Sequence, residues 1–433
     1  MRKFIFIAAL SINAALSLRA QMNKEYVPCN DMPYIMQNYY ADITALNRVY
    51  IVDGSPEKTA RYKKLAEDYS SRLGQIGFNG LSQGCKADFI LFKRDLDEAI
   101  FQANTEAKEY TSLKQWFPFA DSIYALEKIR RRGGAVDGKN VAANFFAITK
   151  QVQQLKKSLS EEKNVTVNNS RRAGIIIVGL QAAAKNVFSF YNAYDPLFSW
   201  WVPDTYKNLD TALSMYAAAF KNTAEKNAPN KDSSGIVGFP IGRDEIVRQL
   251  NYELIPYSPE ELIQVANKEF AWCDKEMLKA TAEMGLGTDW KKALEKVKQS
   301  YVPAGEQAEA MVKLYNESVA FLKEKDLITI PPLAEETWRI VMMTPKQQLV
   351  NPFFYGGEEF AVSYPTNTMD YDARMMSMRG NNPHFSRATV HHELIAGHYL
   401  QQFMNERVNT YRHYETAFWT EGWALYWEMA LWN

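Results

Sequence analysis

Residues 390–403 read VHHELIAGHYLQQF, and the side chains in this stretch that could do chemistry are His391, His392, Glu393 and His398. In the His-Glu-x-x-His pattern of zinc hydrolases the two histidines stand one helical turn apart. Both then reach one ion, while the glutamate between them serves as general base. Here His392 and His398 are six residues apart. On an unbroken helix that spacing means about 240° of rotation and about 9 Å of rise, which keeps the two imidazoles off a common ion. His391 and His398 share a face but lie about 10 Å apart along the axis. A shared metal therefore requires the helix to break between Glu393 and His398, and Gly397 is the residue whose backbone tolerates a break.

The wider pattern supports a metal. All five histidines, His384, His391, His392, His398 and His413, fall within one thirty-residue window, and histidine is the commonest metal ligand. Glu421 follows on the next helical stretch, TEGWALYWEMALW. Glu428, seven residues later, falls on nearly the same helix face and reads first as a surface or helix-pairing carboxylate. Trp419, Trp423 and Trp427 recur every four residues, which reads as a packing stripe rather than a stacking surface. Arg379 and Arg387 flank GNNPHFS; salt bridging is their default role, with a substrate carboxylate as the alternative.

These residues need elements to position them. Ser386 is expected to cap the helix RATVHHEL. Upstream, LITIPPL, TWRIVMM and EEFAVSYPT are short, rich in β-formers and bounded by Pro and Gly, so they read as a small sheet. EEFAVSYPT could be an edge strand that takes a substrate backbone or a plain core strand. Further upstream, SPEKTARYKKLAEDYSSRL and SPEELIQVANKEFAWCDKEM open with serine caps and Pro at the first turn, the second with a capping box through Glu261. AGIIIVGLQAAA is apolar but short, and reads as buried helix. EKNAPNKDSSGIVGFPIG interrupts the helical pattern as a boundary or loop. The domains expected are a signal peptide at 1–20, a helical N-terminal region at 21–235 and a metallohydrolase region at 236–433.

Bulk properties narrow the class. Lysine plus arginine and aspartate plus glutamate balance at 50 each over 433 residues, which argues against a nucleic-acid partner. Arg2 and Lys3 precede an apolar run to Leu18, with Ala20 before a cleavage point, so export to the periplasm or exterior is expected. The run is too short for a bilayer span, and no stable membrane span is expected after cleavage. Of the three cysteines, Cys29 and Cys85 could pair in an oxidising compartment, whereas Cys273, within FAWCDKEM, is expected in the core.

The stretches FPIGRDEIVRQLNYELIPYSPEELIQVANKEFAWC, VNPFFYGGEEFAVSYPT, MSMRGNNPHFSRATVHHELIAGHYLQ and FWTEGWALYWEMALW resemble the bacterial domain of unknown function 885 family. These are mostly secreted proteins grouped by fold with gluzincin-type zinc peptidases. The likeness runs from about residue 235 to the end and is looser upstream. It implies a mainly α fold with a small β-sheet, gluzincin-like, with a helical superstructure around a cleft. The family pattern is His-Glu-x-x-Pro-Gly-His followed by Glu-Gly-Trp-Ala-Leu. By position, His392, His398 and Glu421 then match the zinc ligands and Glu393 the catalytic glutamate. Ala396 stands where the family has proline, and Tyr399 where it commonly has a second histidine. Family members also continue past the point where this chain stops, so the resemblance implies a truncated sequence.

The function expected is therefore an exported Zn2+-dependent hydrolase acting on a peptide or other amide-containing small substrate. Glu393 would take the proton of the attacking water and return it to the leaving amine, with Tyr399, His413 or a tyrosine in the segment that the resemblance implies is missing as candidates for stabilising the oxyanion. A metallohydrolase of another amide or ester is one alternative, because fold does not fix substrate. A non-catalytic binding or scaffold protein on the same fold is the other.

Overall fold

Several helices begin at side-chain caps, Ser55 and Ser258 among them, in this computed structural model, which describes residues 29, 31–228, 240–357 and 359–432. The expected signal peptide, 1–20, and most of the expected linker lie outside the described residues. The chain divides into two compact units, Met1–Phe239 and Pro240–Asn433, four residues beyond the boundary expected from the sequence.

The first unit is helical. Helix α1 is Pro33–Asn47. Ser55 accepts a hydrogen bond from the Lys58 amide to start α2, Pro56–Leu73, as its Ser-Pro pair predicts. There follow α3 (Gln83–Leu113), α4 (Ala120–Arg131), α5 (Gly138–Glu161), α6 (Val167–Tyr191), α7 (Pro196–Trp201) and α8 (Pro203–Asn227). Cys29 and Cys85 form a disulfide that ties the segment before α1 to the start of α3.

Helix α6 contains the apolar run AGIIIVGLQAAA. Its length and composition would suit a membrane span, yet Ala173, Ile176, Ile177, Leu180, Ala183, Ala184 and Val187 are buried within this unit. Their i, i+3, i+4 recurrence makes one stripe, which packs on α4 and α8. Fully burying each large aliphatic side chain stabilises the fold by roughly 1.5–3 kcal/mol. Gly179 belongs to this packing because a Cβ there would fall 2.0 Å from the Asp53 carbonyl oxygen.

The second unit holds α9 (Arg243–Tyr252), α10 (Pro259–Glu283), α11 (Trp290–Lys298) and α12 (Gln307–Glu324). Ser258 and Glu261 form the expected capping box on α10. Cys273 corrects its reading, being free and exposed. Among the residues of α10 only Thr281 is buried, so apolar neighbours in sequence did not translate into packing there. After α13 (Pro332–Thr337) come β1 (Ile340–Met342), α14 (Pro345–Gln348), β2 (Phe354–Tyr355) and β3 (Phe360–Val362). The strand order is β1-β3-β2, with β1 parallel and β2 antiparallel to β3.

Two expectations about this sheet change. LITIPPL is not a strand, because Pro331 and Pro332 remove backbone donors and Pro332 opens α13 instead. The EEFAVSYPT segment provides β3, the central strand, so it offers no free edge; β1 and β2 are the edges. The helices that carry the histidines are α15 (Tyr371–Gly380), α16 (Pro383–Glu393), α17 (His398–Asn405) and α18 (Ala417–Ala430). Val390, Leu394, Ile395, Ala396, Leu400 and Phe403 join Leu314, Val319, Phe360, Val362 and Trp427 in the core beneath them.

Candidate metal centre

Helix α16 starts earlier than Ser386. Asn382 is the cap, its side-chain oxygen accepting from the amides of His384 and Phe385 with Pro383 at the first turn, while Ser386 is buried inside the helix. The helix runs to Glu393 and stops. Leu394 takes φ −106°, ψ −114°, and Gly397, at φ −79°, ψ −139°, starts α17 with His398. The Ile395–Ala396 peptide between them is cis. The break predicted from the spacing is present, but glycine is needed for a different reason. Its φ is negative; what only glycine permits is proximity, since a Cβ on Gly397 would lie 1.8 Å from the His392 carbonyl oxygen and 2.3 Å from that of His391. Ala396, standing where proline was expected, is buried, and its carbonyl accepts a 2.7 Å hydrogen bond from the Trp423 indole of α18.

This break folds His398 back towards His392. Their ring centroids are 4.6 Å apart with planes at 88°. Glu421, on α18, brings its Oε2 to 3.2 Å from His392 Nε2 and 3.5 Å from His398 Nε2. Donor atoms of His392, Glu393 and His398 also lie within 4.8 Å of one another. Glu393 is 7% exposed, whereas the Glu421 side chain is 63% exposed, so the cluster has a buried wall and an open side. Gly356, just after β2, lies against the buried wall. Gly356 packs so closely that a Cβ there would fall 1.4 Å from Glu393 Oε2.

Electrostatics follow from this burial. Burial raises the Glu393 carboxyl to about 7; the His392 imidazole opposes the rise, and the carboxylates of Glu421 and Glu428 add to it. Burial and then the neighbouring His392 push the His398 imidazole below its usual range. Burial, aided by Arg387, lowers His391 to about 4.

The remaining candidates separate. His391 turns to α12, its Nδ1 against Ser318 Oγ, and His384 and His413 are exposed. His413 lines a hollow with Gln401, Thr410 and Trp419. Tyr399 is buried with its hydroxyl 2.8 Å from Thr337 Oγ1, an engagement that directs it to α13. Arg379 pairs with Glu295 and Arg387 with Glu317, as the default reading had it. Trp427 packs in the core and Trp423 packs partly against it. Glu428 departs from its surface reading, its Oε1 lying 2.6 Å from His392 Nδ1. Gly356 gave no signal in the sequence, and the partners of Trp423 and Glu428 could not be read there, because these contacts depend on chain segments far away in sequence.

The family model for DUF885, described as a bacterial protein of unknown function, matches residues 44–432. The chain belongs to the DUF885 family. This DUF885 chain is also similar in fold to a solved structure of a candidate lipoprotein of unknown function from Shewanella oneidensis. The TM-score is 0.59 at 13% identity, over 93% of this chain and 78% of the other. No curated protein matches it.

Proposed function

We propose that this DUF885 chain is an exported, gluzincin-like zinc hydrolase of peptide or amide bonds. The observation that carries the reading is the convergence of His392 Nε2, His398 Nε2 and Glu421 Oε2 beside the buried Glu393. Two imidazole nitrogens and one carboxylate oxygen are a donor set that zinc accepts in hydrolases. Glu421 Oε2 lies within 3.5 Å of both Nε2 atoms, so these three would hold one ion with Glu421 reached from the open side, while Glu393 is the third member of the group whose donor atoms lie within 4.8 Å of one another. A Zn2+ ion held there would supply a Lewis acid that polarises a carbonyl and lowers the pKa of water.

The chain's own groups do the rest. Glu393 is adjacent to the donors yet buried, which places a carboxylate where it can take a proton from water beside the ion. It accepts a proton from the attacking water and delivers it to the leaving nitrogen. Gly356 packs against the Glu393 carboxylate on its buried side. Export is supported by the Cys29–Cys85 disulfide, since such bonds persist in oxidising compartments.

The test is metal content and hydrolysis together. Purified chain loaded with zinc and dialysed should carry one zinc, lost in His398→Ala. A peptide library should be cleaved by the wild type and not by Glu393→Gln, which keeps its zinc. A chain that retains no zinc overturns the reading. Stoichiometric zinc without cleavage of any peptide or amide favours the binding-protein alternative.

A further inference from the structure

We infer that the hollow between α5 and α8 is a binding site for a small organic anion with an apolar portion, the class typified by a medium-chain carboxylate. Its volume is about 680 Å³, within the range of small-molecule sites. It lies inside the Met1–Phe239 unit and does not rest on the zinc reading.

The hollow follows from what the two helices place side by side. They run the same way, because the Asn227 amide at the end of α8 donates to the Glu162 and Val165 carbonyls that follow α5. The buried residues that line it are Thr149, Val152 and Ala212. Side chains this short leave the groove between the helices unfilled. The Thr149 hydroxyl is engaged by its own helix, donating to the Phe145 carbonyl, so the floor offers little polarity.

The rim supplies the charge. Phe146, Lys150, Gln153 and Lys157 follow at intervals of four, three and four on α5, which sets them along one side of that helix. All four are exposed and line the hollow, and Lys156 joins them. Among the described residues the lining contains no Asp or Glu, and none of the three lysines forms an ion pair. An anion is the ligand that complements such a lining. Phe146 and Met215 stay 56% and 52% exposed, apolar area that a ligand's chain would take out of water. Lys150 Nζ stands 5.3 Å from the centre of the Phe146 ring, so cationic and apolar partners meet at one place. These groups line a concavity, which suits a small molecule and not the flat face of a bilayer.

Isothermal titration of the full chain with decanoate, below its micelle concentration, tests the inference. One saturable site is expected, weakened by added salt. Propanoate, which has the acid without the chain, and decylammonium, which has the chain with the opposite charge, should each bind at least about tenfold more weakly. Lys150→Glu combined with Lys157→Glu should weaken decanoate binding by about tenfold or more. Both lysines are exposed, so circular dichroism should be unchanged. Phe146→Ser is the second variant, which keeps the charges, removes the apolar contact and should also weaken decanoate. Absence of saturable decanoate binding, equal binding of decylammonium, or an affinity unchanged in the variants overturns the inference. Binding to phosphatidylglycerol vesicles without binding of free decanoate would overturn it too, in favour of a membrane surface.

Discussion

Gly397 approaches His392 so closely that a Cβ on the glycine would lie 1.8 Å from the histidine's carbonyl oxygen. The contact is backbone against backbone, so no side chain can swing aside to relieve it. Gly397→Ala must therefore move the turn that brings His398 to His392. We expect a loss of about 2 kcal/mol or more in stability, at the upper part of the range for overpacked sites. On the proposed zinc reading, affinity for zinc should fall well beyond what that stability change alone explains. Denaturant unfolding with a zinc titration on the same sample checks both, and native zinc affinity in Gly397→Ala would refute the role given to the turn.

Trp423 fastens the same turn from α18 through its 2.7 Å bond to the buried Ala396 carbonyl. Trp423→Phe keeps most of the ring packing but leaves that carbonyl without its donor. The expected cost is about 1–3 kcal/mol. Because α18 also carries Glu421, zinc affinity should fall with it. Thermal unfolding and chelator competition give the two readings, and a variant indistinguishable from wild type in both would show the bond to be incidental.

The Glu393 carboxyl predicts a pH dependence of the metal-free protein. Its pKa rises from an ordinary 4.5 to about 7, so between these values the folded state holds a proton that the unfolded state has released. Its stabilising contribution is full below pH 4.5 and is lost as pH rises through 7, at no more than about 1.4 kcal/mol per pH unit. His391 and His398 are depressed and act oppositely; their contribution is present above pH 6.5 and is lost as pH falls through their folded values. Subtracting Glu393→Gln from wild type isolates the glutamate. Urea-unfolding free energies of the two proteins should lie closest near pH 4.5, where both side chains are neutral in the folded state, and Glu393→Gln should gain on wild type as pH rises to 7.5. Parallel curves would contradict the assignment.

Local signals carried much of this fold, and long-range approaches carried what the sequence reading missed. Ser55 and Ser258 start their helices where the Ser-Pro pairs place them, because capping is decided within one turn. The break before His398 was legible as well, since a fixed rotation per residue makes a six-residue spacing untenable on a straight helix. Ser386 misled because Asn382 with Pro383 is a stronger start four residues earlier. LITIPPL misled because β-forming composition counts for little where two prolines remove donors. Glu428, Trp423 and Gly356 act on residues far away in sequence, and no periodicity reports such a contact. Cys273 shows the same limit in reverse, its apolar neighbours lying on a helix that the unit leaves exposed.

The disulfide gives the last prediction. Cys29 and Cys85 are 56 residues apart in sequence, and closing a loop of that size removes chain entropy worth about 4 kcal/mol from the unfolded state. Cys85→Ser, or reduction of the wild type, should lower stability by a few kcal/mol on that entropy model. Adding reductant should leave the Cys85→Ser variant unchanged. The loss should appear in unfolding of the helical unit, with the histidine-bearing unit keeping its zinc affinity. Thiol titration supplies an independent check, because Cys273 is free and exposed. One thiol per chain should react in the native oxidised protein and all three cysteines after reduction and denaturation. Three reactive thiols in native protein purified from an oxidising compartment would rule the bridge out.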